Sequence, residues 1–233
     1  MDLRIKNIFK TDLTYKEMTE KYETGDGIIA VVFYLFLLLL YLFIGVVLVN
    51  KGVYIGIPAN ILLIIMCIII VLVRKQNVAT IGLTLKNIGK SSLYGLVFGL
   101  LMSLINIIPA IVAKTEIIGI GSALYNIFYY FIIIGFSEEI VFRGFIQTRL
   151  YGLIRSDVLA TIIGGVMFGV MHVPFQMYNH NVDLITFLQK NYWMVLTPFL
   201  LHFLMNFLYR KFNSIAAPTI FHGILNFTGN LFR

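Results

Sequence analysis

A chain of 233 residues that is 59% hydrophobic and only 12% charged, with mean hydropathy +0.90, excludes a soluble enzyme and a disordered protein. Soluble domains run at roughly 45–50% apolar and about 25% charged, and surface grows almost as fast as volume at this length, so this much apolar side chain cannot be hidden in water. The net charge of +7 is held in short clusters between apolar runs, which is not the pattern of a nucleic-acid partner, and the single Cys67 leaves no disulfide framework and no Cys/His metal finger.

Residues 1–27 form a polar, charge-balanced segment that reads either as an interfacial helix or as a flexible tail. Residues 28–233 read as one transmembrane domain, an all-α polytopic bundle of about seven helices. Uncharged runs fall at 28–49, 52–73, 91–113, 117–137, 158–179, 191–209 and 212–232. About 20 apolar residues cross a bilayer core, and in lipid a helix satisfies its own backbone. Ile61 to Val73 lacks the polar–apolar alternation of a barrel strand. The first run has no small-residue cleavage site behind it and reads as a retained span. The 183–191 segment is also compatible with a separate short helix. Gly95 and Gly99, and Gly165 and Gly169, have the small-xxx-small spacing of close helix contacts.

Lys and Arg alternate between connections. Residues 4, 6, 10, 16 and 21, then 74, 75, 86 and 90, then 143, 149 and 155, then 210 and 211 fall on one side; Lys51, Lys114, Lys190 and Arg233 fall on the other. Positive charge stays inside, so the N terminus is expected in the cytoplasm. The abundance of Ile, Lys, Asn and Phe points to a bacterial plasma membrane.

An ionisable group inside a span is costly and is a functional candidate by default. These groups are Glu138, Glu139, Arg143, His172, His202 and His222, with Asn206 and Asn226 beside them. Glu139 and Arg143 are i,i+4 neighbours in the favourable order, whereas Glu138 is turned about 100° away. Glu139 is therefore expected to be paired, and Glu138 to face a cavity. A plainer reading ends the fourth span at Ser137 and leaves both acids in water.

Gly152, Ser156 and Asp157 supply turn chemistry between the fourth and fifth spans. A hairpin centred near residue 155 puts residues whose numbers sum to about 310 at one depth, and Glu138 with His172 meets that condition. Each then lies about 25 Å from the turn at 1.5 Å per residue. Pro174 is expected to bend the fifth helix near His172. Farther on, His222 and Asn226 share a helix face, with Pro218 in the first turn after Asn213 and Ser214 as candidate caps. His202 and Asn206 have the same spacing, and periodicity does not choose between the two pairs.

No Ser sits in a nucleophile turn and Cys67 has no nearby base, so water is the natural nucleophile. A carboxylate and a histidine deprotonate it; a second histidine and a carboxamide stabilise an oxyanion. A zinc version with Glu138, His172 and His222 as ligands also stands, although HExxH is lacking.

EExxxR over 138–143, FxxxH over 168–172 and HxxxN over 222–226, in this order on membrane helices, resemble the CPBP family. These are the CAAX-processing and bacteriocin-processing (Abi) intramembrane endopeptidases. The resemblance covers about residues 80–228, the expected protease core. It also favours the second histidine pair, through Leu208, Tyr209, Ser214, Pro218, His222 and Asn226; His202 and Asn206 then become packing or cavity-lining residues.

The resemblance implies that Glu138 and His172 activate water, that His222 and Asn226 form the oxyanion site, and that Glu139, Arg143 and Phe168 support them, with Glu139 itself needed for activity. It implies no cofactor, with zinc as the alternative. The expected partners are the lipid bilayer and a peptide or membrane-protein substrate, in bacteriocin self-immunity or peptide processing. A non-catalytic immunity or regulatory protein is the competing reading. A Glu/His proton-relay transporter is disfavoured because the two halves show no repeat.

Overall fold

The computed structural model describes residues 10–232, and the first nine residues of the polar segment and Arg233 lie outside them. The chain is 80% helical, and no strand occurs among the described residues beyond an isolated bridge between Ile117 and Phe232. The remaining polar segment is helical. Helix α1, Leu13–Glu20, starts where the Asp12 carboxylate accepts from the amides of Thr14 and Tyr15 at 2.8 and 3.4 Å. Its Tyr15 is buried edge-on against Tyr151 and Tyr209.

Helix α2, Thr24–Lys51, begins in a capping box of Glu23 and Asp26 and ends at left-handed Gly52. Helices α3, Gly56–Val73, and α4, Ile88–Val112, follow the second and third apolar runs. The fourth run continues into one 33-residue helix, α5, Ile120–Gly152. The plainer reading of the two acids is therefore set aside: the helix carries both glutamates deep into the bundle. Helix α5 widens to π geometry over Tyr129–Phe136 and again over Glu139–Gln147, on either side of Ser137-Glu138. Such widened turns cluster at functional sites.

The connection after α5 is the expected tight turn, and Ser156 caps the next helix through the Leu159 amide. That fifth run is broken at Met171-His172, giving α6, Asp157–Val170, and α7, Val173–Asn179, with Pro174 at the start of the second piece. The separate short helix after residue 183 is present as α8, Leu184–Lys190, bent by 65° from α9, Trp193–Phe212. Asn213, expected as a cap of the last helix, instead closes α9 in the left-handed region, and the Ser214 hydroxyl accepts from the Ala216 amide at the start of α10, Ala216–Gly229.

Among the described residues, five helices are long and apolar enough to cross a bilayer, and a sixth is added if α8 and α9 count as one broken span. Helix α10 has 14 residues, about 21 Å at 1.5 Å per residue, which falls short of a bilayer core. It does not need to reach both surfaces, because protein encloses it. A Cβ on Gly95 would fall 2.4 Å from the Ala217 carbonyl, and one on Gly99 would strike Ile224. Gly223 lies as closely under the Phe131 ring. The second glycine pair works in the same way between α6 and α9, with Gly165 against Phe199 and Gly169 against the Val195 carbonyl.

The basic connections gather at one end. The Asp12 amide donates to the Arg210 carbonyl at 2.9 Å, Lys86 lies 3.7 Å from the Asp12 carboxylate, Arg155 donates to the Tyr22 carbonyl at 3.0 Å, and Arg74 pairs with Asp26 at 3.2 Å. Arg149 differs from these flanking charges: it is buried, donating to Gln76 at 2.7 Å and lying over the Phe145 ring. At the opposite end, the Ile118 amide donates to the Leu231 carbonyl.

Candidate active site

Glu139 and Arg143 are fully buried and joined at 3.0 Å, one turn apart on α5 as the spacing predicts. Sequence spacing does not reveal a second partner. His222 on α10 donates from Nδ1 to the same Glu139 oxygen at 2.9 Å. One carboxylate thus ties the last helix to α5, and it fixes the imidazole so that Nε2 points toward Glu138, 4.0 Å from its Oε2. Burying these charges is tolerable only because each has an opposite neighbour.

Glu138 is 8% exposed, and its Oε2 has no protein hydrogen bond. It faces a cavity of about 730 Å³, as its rotation away from Glu139 predicts. His172, Phe168, His222 and Asn226 line the same cavity. The matched-depth argument from the hairpin therefore brings Glu138 and His172 to one chamber.

His172 sits at the break between α6 and α7. Its Nδ1 is 2.8 Å from the Phe168 carbonyl. A carbonyl only accepts, so Nδ1 carries the proton and Nε2 keeps its lone pair. Phe168 is the physical reason for an aromatic four residues before the histidine. Its carbonyl holds His172, and its ring lies under the Arg143 guanidinium at 3.7 Å and edge-on to the His172 ring at 5.3 Å. The ring also covers an ion pair whose remaining donors, Arg143 Nε and Nη2, have no hydrogen-bond partner.

The competing histidine is placed elsewhere. His202 is fully buried against Phe142 and Phe168, with centroids at 6.0 and 6.1 Å, and neither ring nitrogen has a partner. It is a packing residue and does not line the cavity. Asn206 is likewise buried and donates to Thr161 at 3.2 Å. A buried polar group without partners costs about 1–3 kcal/mol. His202→Leu is therefore expected to keep peptide cleavage and to hold or raise the melting temperature, as read by turnover and thermal unfolding of the purified protein. Loss of turnover with a native melting curve would return His202 to the site.

Among the described residues, no three His, Cys, Asp or Glu side chains form a group that could hold a metal ion. Glu138, His172 and His222 share the chamber but do not form such a group. Other than Glu138, every residue named around the chamber is formally uncharged once its histidines are neutral, and five carboxamides, Asn60, Asn106, Gln176, Asn226 and Asn230, border it.

The family model of the Rce1-like type II CAAX prenyl endopeptidases matches residues 120–228. That stretch runs from the start of α5 almost to the end of α10 and contains all three motifs. No curated protein and no solved structure matches the chain.

Proposed function

We propose that this chain, whose residues 120–228 match the model of the Rce1-like type II CAAX prenyl endopeptidases, is an intramembrane endopeptidase using water activated by Glu138 and His172. The observation that carries this reading is the meeting of Glu138, His172, His222 and Asn226 on one chamber inside an integral membrane bundle.

In the proposed reaction, Nε2 of His172 accepts one hydrogen of the water and aims it, while Glu138 takes the other as a proton. The water oxygen adds to the scissile carbonyl carbon, and the carbonyl electron pair moves to oxygen. Nε2–H of His222 and the Asn226 amide donate to that oxyanion. Glu139 accepts from Nδ1 of His222 and balances the imidazolium, and Arg143 in turn holds Glu139. Collapse of the tetrahedral species breaks the C–N bond, and the amine leaves with the proton held by Glu138.

The membrane is proposed to be a bacterial plasma membrane with the N terminus in the cytoplasm, and the role to be bacteriocin self-immunity or peptide processing. The test is cleavage of fluorogenic CAAX-type peptides, prenylated and unprenylated, by the full chain in nanodiscs. Cleavage is expected to survive exhaustive chelation. Loss on chelation with recovery on added zinc would replace the metal-free mechanism, and no cleavage of either peptide would return the protein to a binding role in immunity.

A further inference from the structure

The chamber is closed at one end of the bundle and open at the other. Toward the basic end its lining finishes on Phe168, Met205 and Phe221, all buried. Toward the other end its wall reaches Tyr54, Trp193, Gly229 and Asn230, all exposed, in the segments that join or finish helices. The helices agree in direction. Helix α2 starts at the basic end, and it contributes Tyr41 and Ile44 from its far half; α3 starts at the far end and contributes Gly56 and Asn60 from its first turns.

The charges divide in the same way. Lys10, Lys16 and Lys21, the basic residues between α3 and α4, Arg155, Arg210 and Lys211 all belong to the sealed end, whereas Lys51, Lys114 and Lys190 belong to the open end. Loops rich in Lys and Arg remain in the cytoplasm. We infer that the chamber opens on the face of the membrane opposite the cytoplasm and receives an uncharged peptide segment from that side. The inference rests on the N-in orientation proposed above and deepens the endopeptidase reading by naming the side from which substrate arrives. Away from Glu138 and the two histidines the wall is formally uncharged, and this sets the second half of it: a charged side chain lying along that wall would have no counter-ion.

The experiment is thiol labelling of the full chain in intact cells with a membrane-impermeant maleimide polymer, read as a mass shift. Cys67 is fully buried, so the unsubstituted protein is a silent background. Tyr54→Cys and Asn230→Cys at the mouth are expected to shift in intact cells. Lys86→Cys at the sealed end is expected to shift only after permeabilisation. Shift of Lys86→Cys in intact cells with both mouth positions protected would overturn the inference, as would mouth positions that stay unlabelled after permeabilisation. Labelling needs no turnover and can be repeated with Glu138→Gln, so a failed peptidase assay and a failed labelling pattern are separate results.

Discussion

Glu138→Gln is expected to abolish peptide cleavage, by about 10²–10⁴-fold, in a protein that still inserts, purifies and unfolds at the wild-type temperature. The amide keeps the size of the carboxylate and removes only its ability to take a proton. Because Glu138 Oε2 has no protein hydrogen bond, the exchange breaks no hydrogen bond at that oxygen. His172→Ala is expected to have the same catalytic effect. Its ring bonds to the Phe168 carbonyl four residues before it and ties no distant helix, so little stability is lost with it. Turnover of a fluorogenic peptide beside a melting curve separates chemistry from folding, and full activity in either variant would remove that residue from the water-activating pair.

The second large effect is on stability. Arg143→Met leaves Glu139 fully buried with only His222 beside it, and breaking a buried pair from one side costs about 3–5 kcal/mol. The expected result is a protein that melts far below the wild type or fails to accumulate. Glu139→Gln/Arg143→Met is expected to recover most of that loss, because neither charge then remains and the Gln oxygen can still accept from Nδ1 of His222. Activity in the double variant is expected to stay low, since the imidazolium loses its counter-charge. A single Arg143→Met variant as stable as the wild type would show that the guanidinium is not needed to hold Glu139. A double variant no more stable than the single would place the effect in the lost Phe168 contact instead.

Much of this site was legible because a membrane removes alternatives. Few ionisable residues occur in the spans, so each carries information, and the rotation of Glu138 away from Glu139 follows from helix geometry alone. The hairpin register likewise brings Glu138 and His172 to one chamber without reference to side-chain contacts. The Glu139–His222 bond was not legible, because it joins residues 83 apart across helices whose packing no local pattern encodes. The π geometry of α5 was hidden for a related reason: its turns are set by what surrounds the helix, and its sequence there is an ordinary apolar run. Arg149 was misleading as a flanking charge, since a buried arginine and a topogenic one are the same letter. The shortness of α10 escaped the hydropathy reading because the uncharged run at 212–232 extends past both ends of the helix, and the left-handed Asn213 that closes α9 lies inside that run.

That short helix also bears on how the protein is made. A 14-residue segment carrying His222 and Asn226 is a poor substrate for insertion by itself, and its partners Gly95, Gly99 and Phe131 lie on helices synthesised long before it. Its entry into the bilayer therefore waits for a groove already prepared between α4 and α5. Until it docks, Glu139 has no imidazole and the chamber lacks one wall. Docking of this helix and completion of the chamber are therefore one event, because the segment that brings His222 and Asn226 packs on helices synthesised before it.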